Sequence, residues 1–117
     1  MNTLANGAAW MGGRIIPVAE AAIPVTDWGL THSDIAYDVV PVWNGAFFRL
    51  DDYLDRFFAS VAAQRMRIGM DRAAVHQALG DMVAASGLRD AYVAMVAARG
   101  RNPVAGSRDP RDCENHF

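Results

Sequence analysis

The sequence predicts an α+β domain of two layers, an antiparallel sheet carrying two packed helices. Three observations lead there. Short apolar runs flank the turn pairs Gly12-Gly13 and Asn44-Gly45, apolar residues fall at helical spacing between Asp51 and Gly87, and an unbroken apolar run returns from Ala91 to Ala98. Strands, then two helices, then a strand form a segregated order, which favours an antiparallel sheet with helices on one face over an alternating parallel fold. With 117 residues, 52% apolar and 21% charged, the chain can bury one modest core.

Taken in order, Ala8 to Met11 and Arg14 to Ala19 are apolar runs around a glycine pair that accepts the positive φ angles of a tight turn, so they read as an opening hairpin. Pro24 and the stretch Thr26 to Asp34 break the pattern with Asp27, Gly29, Thr31, His32, Ser33 and Asp34, side chains suited to turns and caps, and predict a loop with a short helical turn. Ile35 to Trp43 is β-branched and aromatic. Asn44-Gly45 is a strong hairpin signal, and Ala46 to Leu50 returns as its second strand. From Asp51 the period changes: Leu50, Leu54, Phe57, Phe58, Val61 and Met66 lie near one helical face, opposite Asp51, Asp52, Asp55, Gln64 and Arg65. A second helix starts at Asp71 as N-cap, buries Val75, Ala78, Leu79, Met82 and Val83, and stops at Gly87. Ala91 to Ala98 reads as a buried strand. Past Arg99-Gly100 the chain is rich in Arg, Pro, Gly and Asp, which divides it into a folded 1–100 and a 101–117 loop leading toward a further element.

The charge pattern excludes several functions. All eleven cations are arginines, interleaved with thirteen acids for a net charge of −2, so no basic stripe offers itself to nucleic acid. No apolar run approaches the roughly 18 residues of a membrane span, and Met1 to Gly7 lacks the charge and apolar stretch of a secretory leader. One cysteine suits a reducing compartment, and together these place the chain in the cytoplasm. Cys113 and His116 have a metal-like spacing, but two ligands do not close a zinc site, and no metal is expected.

Eight pieces of sequence, in this order and spacing, are similar to one family: Trp10 to Val18, Asp27-Trp28-Gly29, His32-Ser33-Asp34, Tyr37-Asp38-Val39, Trp43-Asn44-Gly45, Phe48-Arg49-Leu50-Asp51-Asp52, Arg56, and Arg99-Gly100. The chain from residue 8 to about 108 resembles the N-terminal domain of the class IV aminotransferases, which depend on pyridoxal 5'-phosphate. Within that family it looks most like the (R)-selective amine transaminases, whose pattern also holds His-Ser-Asp, Tyr-x-Val and Val-Trp-x-Gly before Phe-Arg-Leu-Asp-Asp.

The resemblance implies a role for several residues. Arg56 corresponds to the arginine that holds the cofactor phosphate, a task suited to a planar, permanently charged fork; helical spacing alone reads it as a surface partner of Asp52, four residues earlier. Tyr37 and Val39, two apart on a strand, share one face, which the resemblance turns toward substrate while Asp38 points away. A plain core aromatic is the other reading of Tyr37. His32 would be a pocket or phosphate-side residue, or else a loop-capping histidine. Tyr92 and Ala94 alternate on the last strand and would line the same pocket, or else belong to an apolar strand that is core and nothing more.

Two departures from the family pattern stand out. D-amino acid enzymes take the substrate carboxylate with an Arg-x-His element shortly after the Arg-Gly turn, where this chain has Val104-Ala105-Gly106, so the resemblance points to a simple primary amine as donor and a keto acid such as pyruvate as acceptor. Arg101 and Arg108 are the candidate substitutes for that carboxylate contact. Tyr53 stands where histidine commonly follows the two acids, without evident consequence.

No position is lysine, the residue through which this family holds the cofactor and moves the substrate proton. The resemblance therefore implies a C-terminal catalytic domain outside these 117 residues and, as in relatives, a homodimer. It leaves open a D-amino acid aminotransferase, an aminodeoxychorismate lyase, or a stand-alone domain that kept the fold without the chemistry.

Overall fold

The computed structural model describes residues 3–117; Met1 and Asn2, the start of the segment read for a leader, lie outside the described residues. The elements are β1 (Ala8–Met11), β2 (Arg14–Pro17), α1 (Trp28–Thr31), β3 (Ile35–Trp43), β4 (Ala46–Phe47), α2 (Leu50–Ala63), α3 (Arg72–Ser86) and β5 (Ala91–Ala98). β1 and β2 form an antiparallel hairpin, and a second antiparallel sheet has the order β4-β3-β5. The two-layer α+β expectation holds. No helix among the described residues is long and apolar enough to cross a membrane.

Two predicted strands are shorter than expected. The second strand of the opening hairpin ends at Pro17, because residues 18–20 turn into a 3₁₀ segment. The return strand predicted for Ala46 to Leu50 ends at Phe47: Arg49 takes a left-handed backbone (φ 53°), which turns the chain, and Leu50 already opens α2. Pairing stops where that residue rotates the strand out of the sheet.

The core lies between the sheet and the helices. Alternation along β3 sends Ala36, Asp38, Val40 and Val42 inward, and β5 contributes Val93, Met95 and Ala97. α2 closes this layer with Leu50, Leu54, Phe57 and Val61, while α3 adds Val75 and Leu79. Met82 and Val83, predicted as core, are partly buried at its margin. Phe117 reaches back to the core, its ring 5.7 Å from Phe57 and 5.8 Å from Trp10.

The caps explain the helix limits. Asp71 is extended, and its carboxylate accepts the Ala74 amide at 2.8 Å; Gly87 ends α3 at φ 71°. Asp71→Ala is expected to cost about 1 kcal/mol, readable as a shift in the urea midpoint at unchanged slope; no shift would show that α3 is held by packing alone.

Candidate functional site

The sheet has one closed face and one open face. Opposite the helices, β3 presents Ile35, Tyr37, Val39, Pro41 and Trp43, and β5 presents Tyr92, Ala94 and Val96. The register pairs Tyr37 with Val96, Val39 with Ala94 and Pro41 with Tyr92, so four of the residues expected to line a pocket lie side by side. Tyr92 is 82% exposed, Trp43 66% and Tyr37 59%. Tyr37 is thus no core aromatic. An uncovered apolar surface of this kind marks a binding or docking face. Trp43 and Phe48, with ring centroids 5.8 Å apart, extend it at the hairpin end.

Arg56 projects from α2, on the helix side of β3. Its Nε and Nη2 both donate to the Asp38 carboxylate, each at 2.7 Å. Asp38 is 6% exposed, whereas the Arg56 side chain is 67% exposed. Asp52, the helical-spacing alternative as partner, instead accepts from Arg49 at 2.7 Å. Hydrogen bonding from Arg56 holds the Asp38 carboxyl below its ordinary value against the opposing effect of burial, helped by the Val39 amide, which donates to Oδ1 at 2.9 Å. β4 pairs with Val42 and Trp43 alone, so the edge of β3 away from β5 has no strand partner from Ile35 to Val40 among the described residues. Arg56 thus stands on the helix side of β3, at Asp38, and Tyr37 and Val39 lie on the opposite face of the same strand.

His32 caps the end of α1. Its ring stacks on Trp28 at 4.4 Å and its Nδ1 lies 2.8 Å from the Thr31 hydroxyl, the arrangement of a loop-capping histidine with an exposed ring. Arg101 approaches Glu114 at 3.9 Å, and Arg108 is exposed in the chain that follows the turn at 105–106. Among the described residues, no hydrogen bond or ion pair joins His32, Arg101 or Arg108 to Arg56, Tyr37 or Val39.

Sequence reasoning missed the polar contacts that position the loops. Asp27, 1% exposed, accepts the amides of Gly29 at 2.7 Å and Gly100 at 3.1 Å, and its other oxygen accepts Nε2–H of His116. His116 also bridges Ala98 through two backbone hydrogen bonds, so the 101–117 segment returns to the end of β5. Arg99 is buried, donating to Asp34 at 2.7 and 3.1 Å and to the Gln64 carbonyl at 2.7 Å. The Arg99-Gly100 pair thus ties the loop after α1 to the end of α2. An acid at an inward position of an apolar strand was the available signal for Asp38, since such a charge needs a partner.

No protein-family model matches the chain. It is 25% identical over 104 residues to a putative branched-chain-amino-acid aminotransferase of Methanocaldococcus jannaschii, covering 89% of this chain and 35% of the relative. It is 30% identical over 91 residues to a D-alanine aminotransferase of Listeria innocua, covering 77% and 32%. The chain spans about a third of the length of the curated relatives it matches. Among solved structures, the T.th. branched-chain amino acid aminotransferase with pyridoxamine 5'-phosphate superposes at a TM-score of 0.80 over 93% of this chain and 38% of that one, at 24% identity.

The fold is that of a class IV aminotransferase N-terminal domain.

The same enzyme complexed with N-(5'-phosphopyridoxyl)-L-glutamate gives a TM-score of 0.77 at 25% identity over 85% of this chain and 34% of that one. The branched-chain and D-alanine enzymes are thus this chain's relatives in sequence, and a class IV N-terminal domain is its likeness in three dimensions.

Proposed function

We propose that this chain is the N-terminal portion of a pyridoxal-phosphate-dependent aminotransferase that moves the amino group of a primary (R)-amine to a keto acid such as pyruvate. The observation that carries the reading is the exposed Arg56 guanidinium anchored on Asp38 of β3, with the apolar Tyr37, Val39, Ala94 and Tyr92 side by side on the other face of that sheet. The donor set fits a phosphate-bearing group: the guanidinium is exposed, permanently charged and anchored on a buried carboxylate, with the N–H groups of Nη1 still unbonded among the described residues.

When bound, pyridoxal phosphate supplies the electron sink that lets an amine carbon give up its proton. Arg56 would hold the phosphate. Tyr37 and Val39, with Tyr92 and Ala94 across the sheet, would orient an apolar substituent and exclude water from one side. His32 would border the site from the loop. The chain holds no lysine, so the amine that carries the proton has to come from outside these 117 residues. The exposed apolar face suits cover by a second domain and, within a homodimer, by a partner subunit.

Substrate choice rests on residues 104–106. Val104-Ala105-Gly106 provides no charged partner for a carboxylate, which favours an amine without one; Arg101 and Arg108 are the cations that would take a carboxylate if the donor has it. The D-alanine aminotransferase relatives favour a second reading, a D-amino acid donor. The test is turnover of the intact protein, as the cell makes it, with pyruvate and three donors: an (R)-configured primary amine, D-alanine and L-leucine. Turnover of the (R)-amine alone is expected. Turnover of D-alanine would replace it with the second reading, and no turnover by a protein that retains no cofactor would leave a non-catalytic domain.

A further inference from the structure

Asp38 sits, 6% exposed, on a strand whose other helix-facing residues are Ala36, Val40 and Val42. A carboxylate among apolar neighbours is costly unless its oxygens are matched. Both are: Oδ2 takes Nε of Arg56, and Oδ1 takes Nη2 of Arg56 and the Val39 amide. That contact occupies the side edge of the guanidinium. It leaves the end edge, formed by Nη1 and the outer N–H of Nη2, as a second two-pronged donor. Apart from Asp38, Arg56 has the Tyr53 ring 5.4 Å from Cζ, and its side chain is otherwise solvated. A long side chain so exposed samples many rotamers when unanchored.

We propose that Asp38 is a positioning residue: it fixes the Arg56 guanidinium so that the Nη1–Nη2 edge, and no other, is presented to the phosphate of the cofactor. The proposal rests on the reading of Arg56 given above and assigns to Asp38 a role that its inward direction on β3 had hidden. Positioning and simple electrostatics predict opposite signs. A carboxylate beside a phosphate repels it, so if charge alone mattered, removing Asp38 would tighten phosphate binding. If Asp38 acts by orienting the fork, removing it weakens that binding. A purely structural role would weaken every ligand alike.

The experiment measures the calorimetric affinity of the intact protein for pyridoxamine 5'-phosphate and for pyridoxamine, and takes their ratio as the phosphate preference. Neither probe needs a lysine. Asp38→Asn is expected to lower the ratio about tenfold or more, the scale of a charge-assisted contact. Arg56→Ala is expected to lower it at least as far, and Asp38→Asn added to Arg56→Ala to change it by less than about twofold, because the two act through one contact. An unchanged or raised ratio in Asp38→Asn, or an effect of that substitution that persists in Arg56→Ala, would overturn the positioning role while leaving the phosphate role of Arg56 standing. Arg56→Lys covers the case in which Asp38→Asn does not fold: it keeps the charge and lacks the fork, so a wild-type ratio there overturns the proposal without touching the buried carboxylate. An unchanged ratio in Arg56→Ala, or no binding of pyridoxamine 5'-phosphate to the intact protein, would overturn the phosphate reading and the positioning role with it.

Discussion

Asp27→Ala is expected to destabilise the protein by about 2–4 kcal/mol, a large share of the roughly 5–15 kcal/mol available to a domain. The carboxylate caps α1 through the Gly29 amide, accepts the Gly100 amide, and takes Nε2–H of His116. Losing the cap costs about 1 kcal/mol, and the buried Gly100 amide, stranded without an acceptor, about 1–3 kcal/mol, whereas the half-exposed His116 ring can turn to water. The contribution depends on pH in a definite direction. Burial pushes the Asp27 carboxyl up, but the hydrogen bonds from His116, Gly29 and Gly100, with attraction to His116, outweigh it and hold the group below its ordinary 3.8. A carboxyl lowered on folding stabilises above its unfolded value and loses that stabilisation as pH falls through the folded value. Urea denaturation of wild type and variant should therefore show a wide gap at neutral pH that narrows below the ordinary carboxylate range. A gap of constant width would mean that the loss comes from packing and not from the charge.

Gly100→Ala is expected to release the 101–117 segment. Gly100 has φ 83°, where an L residue is strained by about 1–2 kcal/mol. A methyl group there would also overlap the backbone carbonyl of Glu114. Neither side can yield cheaply: Gly100 is held by its amide on Asp27 and its carbonyl on Trp28, and Glu114 by its amide on the Arg101 carbonyl. Relief comes if the returning segment lifts away, which gives up the Ala98–His116 bridge and the packing of the partly buried Phe117, less than the roughly 1.5–3 kcal/mol of a fully buried aromatic. Hydrogen exchange at the Ala98 and His116 amides should accelerate strongly in the variant, and limited proteolysis should cut within 101–117 sooner. Wild-type protection at both amides would show that the loop absorbs the methyl group in place.

Both effects arise at Asp27, His116 and Gly100, three residues whose meeting could not be read along the chain. Asp27 and Gly100 were visible as parts of motifs, but the contact between them spans 73 residues. His116 had drawn notice for its spacing from Cys113; its Nε2 is instead engaged by Asp27. The site shows the same division. Period two put Tyr37 with Val39 on one face of their strand and Tyr92 with Ala94 on one face of theirs, the resemblance gave the four a common pocket, and the register then set them side by side. Arg56 was legible as a cation on a helix, while its partner was not: helical spacing offered Asp52, and the folded chain supplied Asp38 from a strand eighteen residues away.

What the sequence by itself determined was local and periodic. The hairpin at Asn44-Gly45, the caps Asp71 and Gly87, the amphipathic face of α2 and the fold class follow from backbone preference and from the spacing of apolar residues, which act over a few residues. Tertiary structure decided where strands stopped and which charges met. β4 ends after Phe47 because Arg49 is held in a left-handed turn at the start of α2, a conformation that no residue preference at that position requires. Asp38 met Arg56, and Asp27 met His116, because a buried carboxylate takes whichever donor the packed chain brings within reach, and that distance does not exist until the core has formed.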